Sequence, residues 1–356
     1  MNYLKTYENI YSIYQALSDE ESKYIFRQRL LFSLDQNFAH IEKMLKNLFP
    51  SKSEKYRYTY FLDFLDDEID PSHALIIFGA GGYGELMLEY LDEKGYSISA
   101  FCDNSADKQG KTFCGLPVIS PQNSLLEVDS TVIFVCATLH ENAIISQLIE
   151  MGVSPAKIIK TTPSNEKKQY FGEPFLQPVS QEIFLHLGCG DGETINQFRD
   201  WCSDQYRQII AFEPDPINYR VCIDKIEKEK IKNIDIINKG AWDKKQILTF
   251  ESGKGTTSTV SEDGDIKIEV DAIDNLVSSE KITFISMDIE GSELKALQGA
   301  KNTILSQRPR LAICVYHKPE DIINIILFIQ QLIPEYKLYL RHYTLLECDT
   351  VLYAVI

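Results

Sequence analysis

The stretch from 183 to 213 constrains the fold most. An apolar run, Ile183 to Leu187, ends in a turn built on Gly188, Gly190 and Gly192. A helical pattern follows, and a second apolar run over 208–212 ends on the acid Glu213. Glycine tolerates backbone angles that other residues avoid, and it lets a ligand approach the main chain closely. A carboxylate at the tip of the next strand, roughly 20 residues on, is where nucleotide-binding α/β folds hold ribose hydroxyls. The spacing is G-x-G-x-G rather than the dinucleotide G-x-G-x-x-G, and Asp191 lies inside the loop. A negative charge there repels a pyrophosphate but suits a cationic ligand such as S-adenosylmethionine (SAM). The competing account is an ordinary glycine-rich turn between strand and helix.

At 356 residues the chain is long for one core, so two domains plus an appendage are expected. Lys and Arg number 36 against 52 for Asp and Glu, a formal charge of −16 that disfavours nucleic acid or anionic membrane as partners. The eight cysteines form no C-x-x-C pair and, with no signal peptide at the start, read as reduced thiols of a cytoplasmic protein. The longest apolar run, 322–333, is too short to span a bilayer.

In chain order, 1–70 is expected to be a helical N-terminal arm that packs on the body or pairs two copies as a homo-oligomer. It ends in an aromatic group at Tyr56, Tyr58, Tyr60, Phe61 and Phe64. Residues 71–165 repeat the strand–helix logic. An apolar strand at 74–78 precedes Gly79, Gly81 and Gly84 in GAGGYG, a helix is predicted over 85–94, and a second strand, 97–102, ends on Asp103. Two further segments complete it, a strand over 131–137 and a helix over 141–150. This part, with the stretch CDNSADKQGKTFCGLPVISP, resembles the N-terminal nucleotide-sugar-binding domain of sialic-acid and bacillosamine acyltransferases. That resemblance implies a second nucleotide site at Gly79, Gly81, Gly82, Gly84 and Asp103, against a purely structural unit. Residues 166–180 read as a linker, within a proline-rich polar stretch. The rest, 181–356, is a further α/β domain with a mostly parallel sheet and a terminal antiparallel pair. The expected fold class is therefore α/β: two Rossmann-like three-layer domains behind a helical arm.

The blocks LGCGDGET (187–194), FEPDPIN (212–218), KGAWDKK (239–245), VDAIDNL (270–276) and ISMDIEGSELKALQGA (285–300) resemble the FkbM family of SAM-dependent methyltransferases. The likeness covers about half the chain. It implies a class I SAM methyltransferase fold and O-methyl transfer to a hydroxyl of a sugar, glycan or glycoconjugate. His186 departs from it, standing where many members place an acid.

On this basis Gly188, Cys189, Gly190, Asp191, Gly192, Glu213, Pro214, Gly240, Ala241, Trp242 and Asp288 are the expected cofactor residues, with Glu213 on the ribose diol and Trp242 either stacked on adenine or packed in the core. Asp288, His317 and His342 follow strand ends and are the catalytic candidates, His317 as a neutral base removing the acceptor proton. Asp288, Glu290 and His317 could instead hold Mg or Mn. Two rival functions stand beside methyl transfer. One is an NAD-dependent sugar oxidoreductase or epimerase working at the Gly79 loop, weakened by the small size of that unit and by the lack of a Y-x-x-x-K pair after it. The other is a non-catalytic nucleotide-sugar-binding protein.

Overall fold

The structure, a computed structural model, describes residues 3–48, 74–93, 95–123, 131–136, 141–160, 169–252, 258–261, 264–277, 281–344 and 347–356. The aromatic group at 56–64 and the linker residues 166–168 lie outside them. Two compact units emerge, one from Met1–Met44 with Lys167–Ile356, the other from Leu45–Glu166.

Three helices open the chain: α1 (Tyr3–Ala16), α2 (Glu20–Asp35) and α3 (Ala39–Leu48). In the Leu45–Glu166 unit, the strands are β1 (Ala74–Phe78), β2 (Ile98–Cys102), β3 (Thr112–Phe113), β4 (Leu116–Ile119), β5 (Thr131–Val135) and β6 (Ile158–Lys160). Helix α4 (Gly82–Glu93) lies between β1 and β2, and α5 (Glu141–Glu150) between β5 and β6. The sheet runs β3-β4-β2-β1-β5-β6, parallel except for the β3–β4 hairpin. Alternation along β1 explains the layers. Leu75 and Ile77 pack with Met87, Tyr90 and Leu91 of α4, whereas Ile76 and Phe78 pack with Ile144 and Leu148 of α5. The sequence predicts three strands here. It misses β3, β4 and β6 because each is four residues or fewer, and the hairpin is marked only by Cys114 and Gly115, both at positive φ.

In the other unit, β7 (Glu182–Leu187), α6 (Glu193–Trp201), β8 (Tyr206–Phe212), α7 (Pro216–Glu229) and β9 (Ile234–Ile237) come first. Next are β10 (Gly240–Trp242), β11 (Gln246–Glu251), β12 (Thr259–Val260), β13 (Ile266–Ala272) and α8 (Ile273–Leu276). The chain closes with β14 (Phe284–Met287), α9 (Glu293–Gly299), α10 (Lys301–Gln307), β15 (Arg310–Cys314), α11 (Asp321–Leu332), β16 (Lys337–His342) and β17 (Thr350–Val355). The main sheet is ordered β16-β17-β15-β14-β7-β8-β9, and β17 alone runs antiparallel to its two neighbours. Its central strands β7 and β14 are buried throughout, as a sheet covered on both faces requires. Strands β10 to β13 do not join it. They form a separate sheet, β10-β13-β11-β12, over Trp242, Phe250, Ile268 and Val270.

One segment differs from expectation. Residues 169–180 do more than link: Tyr170, Phe171 and Leu176 are buried in the core with Phe184, Phe198 and Phe284. The N-terminal helices pack on this unit, one of the two arrangements expected of them. Leu17 bridges Leu338 on the edge strand β16, Ser18 N–H donates to Leu338 O, and Leu340 N–H donates to Ser22 Oγ at 2.9 Å. Arg341 clamps Asp19 at 2.7 Å and Glu173 at 3.1 Å.

Candidate active site

Beyond β7 the chain turns through Gly188, Gly190 and Gly192, at φ 84°, 49° and 78°. Such angles strain any residue with a Cβ. At Gly188 there is also no room, because a Cβ would lie 2.0 Å from the Asp288 carbonyl oxygen. The glycine loop and the exit of β14 therefore run backbone against backbone.

Strand β8 anchors the loop. Gly188 and Cys189 N–H donate to Phe212 O at 3.0 and 3.2 Å. Gly190 N–H donates to Glu213 Oε2 at 2.8 Å, and Asp215 N–H to Oε1 at 2.9 Å. Burial pushes the Glu213 carboxyl up to about 7, against the pull of those N–H donors. The Asn218 side chain also bonds to this carboxylate, which leaves one of its roughly four acceptor positions for a ribose hydroxyl.

The other expected cofactor residues divide. Asp191 Oδ1 accepts Glu193 N–H at 3.0 Å, so one oxygen serves the start of α6. Cys189 is buried with its Sγ 3.6 Å from Cys222 Sγ. Pro214 O accepts Asn238 Nδ2 at 3.3 Å. Gly240 and Ala241 are buried in β10, and Trp242 packs on the core of the small sheet, which favours its structural role.

Next to the loop lies a cluster of acids around one histidine. Asp288 Oδ2 accepts the Tyr170 hydroxyl at 2.8 Å, and Oδ1 accepts that of Tyr316 at 3.3 Å. His317 is wedged between acids: Nε2 is 3.3 Å from Asp288 Oδ1 and 3.5 Å from Glu290 Oε2, and Nδ1 is 3.0 Å from Glu293 Oε1. Burial opposes the imidazolium, but Asp288 and Glu293 outweigh it and raise His317 to about 11. In return His317 and Tyr170 hold Asp288 below the usual carboxylate range despite its burial. These two carboxylates favour the protonated imidazole while no other cation is present, which weighs against the neutral-base role expected of His317. Glu290 adopts a left-handed φ of 52° and keeps 26% of its side chain exposed. Glu293 is fully buried at the start of α9 and accepts Ile289 N–H at 2.8 Å.

His342 is placed differently. Its Nδ1 lies 2.8 Å from Thr350 Oγ1, its register partner across β16 and β17. That cross-strand bond is a structural one. His186 likewise packs inside the sheet, bonded to Ser286 Oγ at 2.7 Å and lowered to about 4 by burial. Glu293 and Tyr170 were missed as site residues, Glu293 because an acid at a helix start is explained by the macrodipole alone. Tyr170 sits in a stretch whose prolines suggest only a linker, and its partner is 118 residues away.

The Gly79 loop repeats the design with a different outcome. Gly79 has φ 118°, and a Cβ on Gly84 would lie 2.0 Å from Gly79 O, whereas Gly81 and Gly82 face open space. Ala80 N–H donates to Asp103 Oδ2 at 2.9 Å, Ser105 N–H to Oδ1 at 2.8 Å, and Lys108 Nζ lies 3.1 Å from Oδ2. Both lone pairs of Oδ2 are thus engaged, and Lys108 neutralises a charge that Glu213 keeps unpaired with any cation among the described residues.

Residues 186–343, under half the chain, match the family model described as the methyltransferase FkbM domain. Residues 72–159 match the model described as C2185-like, N-terminal. No curated protein matches the chain. Among solved structures, the chain is similar to methyltransferase FkbM from Methylobacillus flagellatus KT, with 20% identity, TM-score 0.49, 92% of this chain and 100% of that one covered. It is also similar to Aeropyrum pernix fibrillarin in complex with natively bound S-adenosyl-L-methionine, at 14% identity and TM-score 0.35, covering 52% and 71%. A SAH-bound Podospora anserina methyltransferase stands at 12% identity and TM-score 0.32, covering 49% and 70%. Among the described residues no helix is long and apolar enough to cross a membrane.

Proposed function

We propose that the chain is a SAM-dependent O-methyltransferase whose acceptor is a hydroxyl of a sugar, glycan or glycoconjugate. The observation that carries this is the backbone contact between Gly188 and Asp288, which sets the glycine loop beside the carboxylate cluster. Donor and acceptor must meet at such a junction, because methyl transfer needs alignment above all. The strand order, with one antiparallel strand inserted next to the edge, supports the class I methyltransferase fold that the family resemblance implies.

In this reading the backbone of Gly188, Cys189 and Gly190 and the carboxylate of Glu213 hold the nucleoside and methionine ends of SAM. Bound SAM supplies an electrophilic methyl on a sulfonium whose leaving group is a neutral thioether, so little acid catalysis is needed. The acceptor hydroxyl must lose its proton. Glu293 is fully buried, and both Asp288 oxygens already accept hydrogen bonds. Glu290, partly exposed and 3.5 Å from His317, is the carboxylate best placed to take that proton. Tyr170, Tyr316 and His317 position Asp288. The hydroxyl-rich acceptor suits a pocket of carboxylate acceptors. The Gly79 loop gains no comparable support as an NAD site, since Lys108 covers its acid.

Incubation with SAM and a panel of nucleotide sugars and oligosaccharides, followed by mass spectrometry, tests the reading. A methylated sugar with release of demethylated cofactor is expected for the wild type and is lost in Glu213→Ala. Methylation of a protein or a nitrogen acceptor in preference to any sugar contradicts the acceptor class.

A further inference from the structure

Glu293 is fully buried, yet its Oε2 has no hydrogen-bond partner. Oε1 of the same carboxylate accepts Ile289 N–H and faces His317 Nδ1. Both ring nitrogens of His317 are buried too, and neither makes an aligned hydrogen bond, although carboxylate oxygens lie 3.0 and 3.3 Å away. Orphaned buried polar atoms are costly and ask for a partner. Here they belong to one cluster, in which one ligating atom each of Asp288, Glu293 and His317 lie within 4.8 Å of one another. Besides His317 itself, Lys318 Nζ is spent on Gly291 O and Arg29 on Glu347 O.

We propose that Asp288, Glu293 and His317 bind a divalent cation, with Glu293, not Glu290, as the third protein ligand. Two carboxylates and an imidazole suit a small cation such as Mn2+, which takes the place of a His317 ring proton released to solvent, with the remaining positions left to water or the acceptor. The inference deepens the proposed function. A cation beside the glycine loop would bind the acceptor hydroxyl and make it more acidic, leaving Glu290 at the rim to take the proton.

The probe is Mn2+ alone, titrated calorimetrically and by paramagnetic resonance into the full-length protein after dialysis against a chelator. One saturable site is expected. Glu293→Gln and His317→Gln should each weaken it at least tenfold, while Glu290→Gln changes it less than threefold. Thermal melts report whether each variant is folded. Absence of saturable Mn2+ binding to the wild type overturns the proposal, and that measurement needs no variant. Loss of the site in Glu290→Gln with retention in Glu293→Gln also overturns it. SAM is titrated into the same samples, which separates the two claims. SAM binding without Mn2+ binding removes the cation and leaves methyl transfer standing. Mn2+ binding without SAM binding does the reverse.

Discussion

Glu213 joins the cofactor loop to the second strand, and its environment makes its role measurable. Glu213→Gln keeps the size of the side chain but puts a donor opposite one of the two N–H groups it now accepts. SAM affinity should therefore fall at least tenfold, read by calorimetry. The pH dependence has a definite sign. A buried carboxyl raised from 4.5 to about 7 costs stability once ionised: the penalty is absent below about pH 4.5 and complete above about pH 7. The stability of Glu213→Gln relative to wild type should consequently become more favourable from pH 5 to pH 8, by about 3 kcal/mol at most. Denaturant melts at the two pH values check this, and an unchanged difference would mean that Glu213 ionises freely. Glu213 was legible in the sequence because its position at a strand tip is set by the local order of strand, loop and helix. The environment of His317 was not. Its ionisation depends on Glu293 and Asp288, brought in from a neighbouring strand exit, and no local pattern reports a distance of 3.0 Å.

At the scale of elements, close packing turns two familiar expectations around. A glycine in a helix normally gains about 1 kcal/mol on becoming alanine. Gly299 ends α9, where a Cβ would lie 1.9 Å from Trp242 O of β10. Gly299→Ala should instead destabilise by about 2 kcal/mol or more, since one backbone must move off the other; a stabilised variant would refute that packing. Glu182 at the start of β7 is fully buried and takes both oxygens to Arg310 at the start of β15, at 2.5 and 2.6 Å. Arg310→Met leaves this carboxylate buried without its cation and should cost about 3 kcal/mol or more in a chemical melt. The double variant with Glu182→Leu should recover part of that. Strands with a strong apolar run, such as β7, β8 and β14, could be read directly. The partition of strands between two sheets could not, because β11 and β13 carry the same alternation in the small sheet as they would on the main one.

On the whole-molecule scale, the surprise is that residues 1–44 belong with the C-terminal half. Charged helical periodicity shows that α2 has an apolar side, but not which surface receives it. The receiving surface is β16, an edge strand, and unpaired edges are a liability that proteins cover. Deleting residues 1–44 should lower the Tm by at least about 5 °C and increase aggregation, whereas an independent arm would leave the melt unchanged. The molecule as a whole is expected to place a single SAM at the Gly188 loop and none at the Gly79 loop. Calorimetric titration of the full-length wild type and Glu213→Gln with SAM, and of the wild type with NAD, tests this most directly. Saturable one-to-one SAM binding that is lost in the variant, with no heat from NAD, is the predicted result. NAD binding without SAM binding, or SAM binding equally tight in Glu213→Gln, would contradict it.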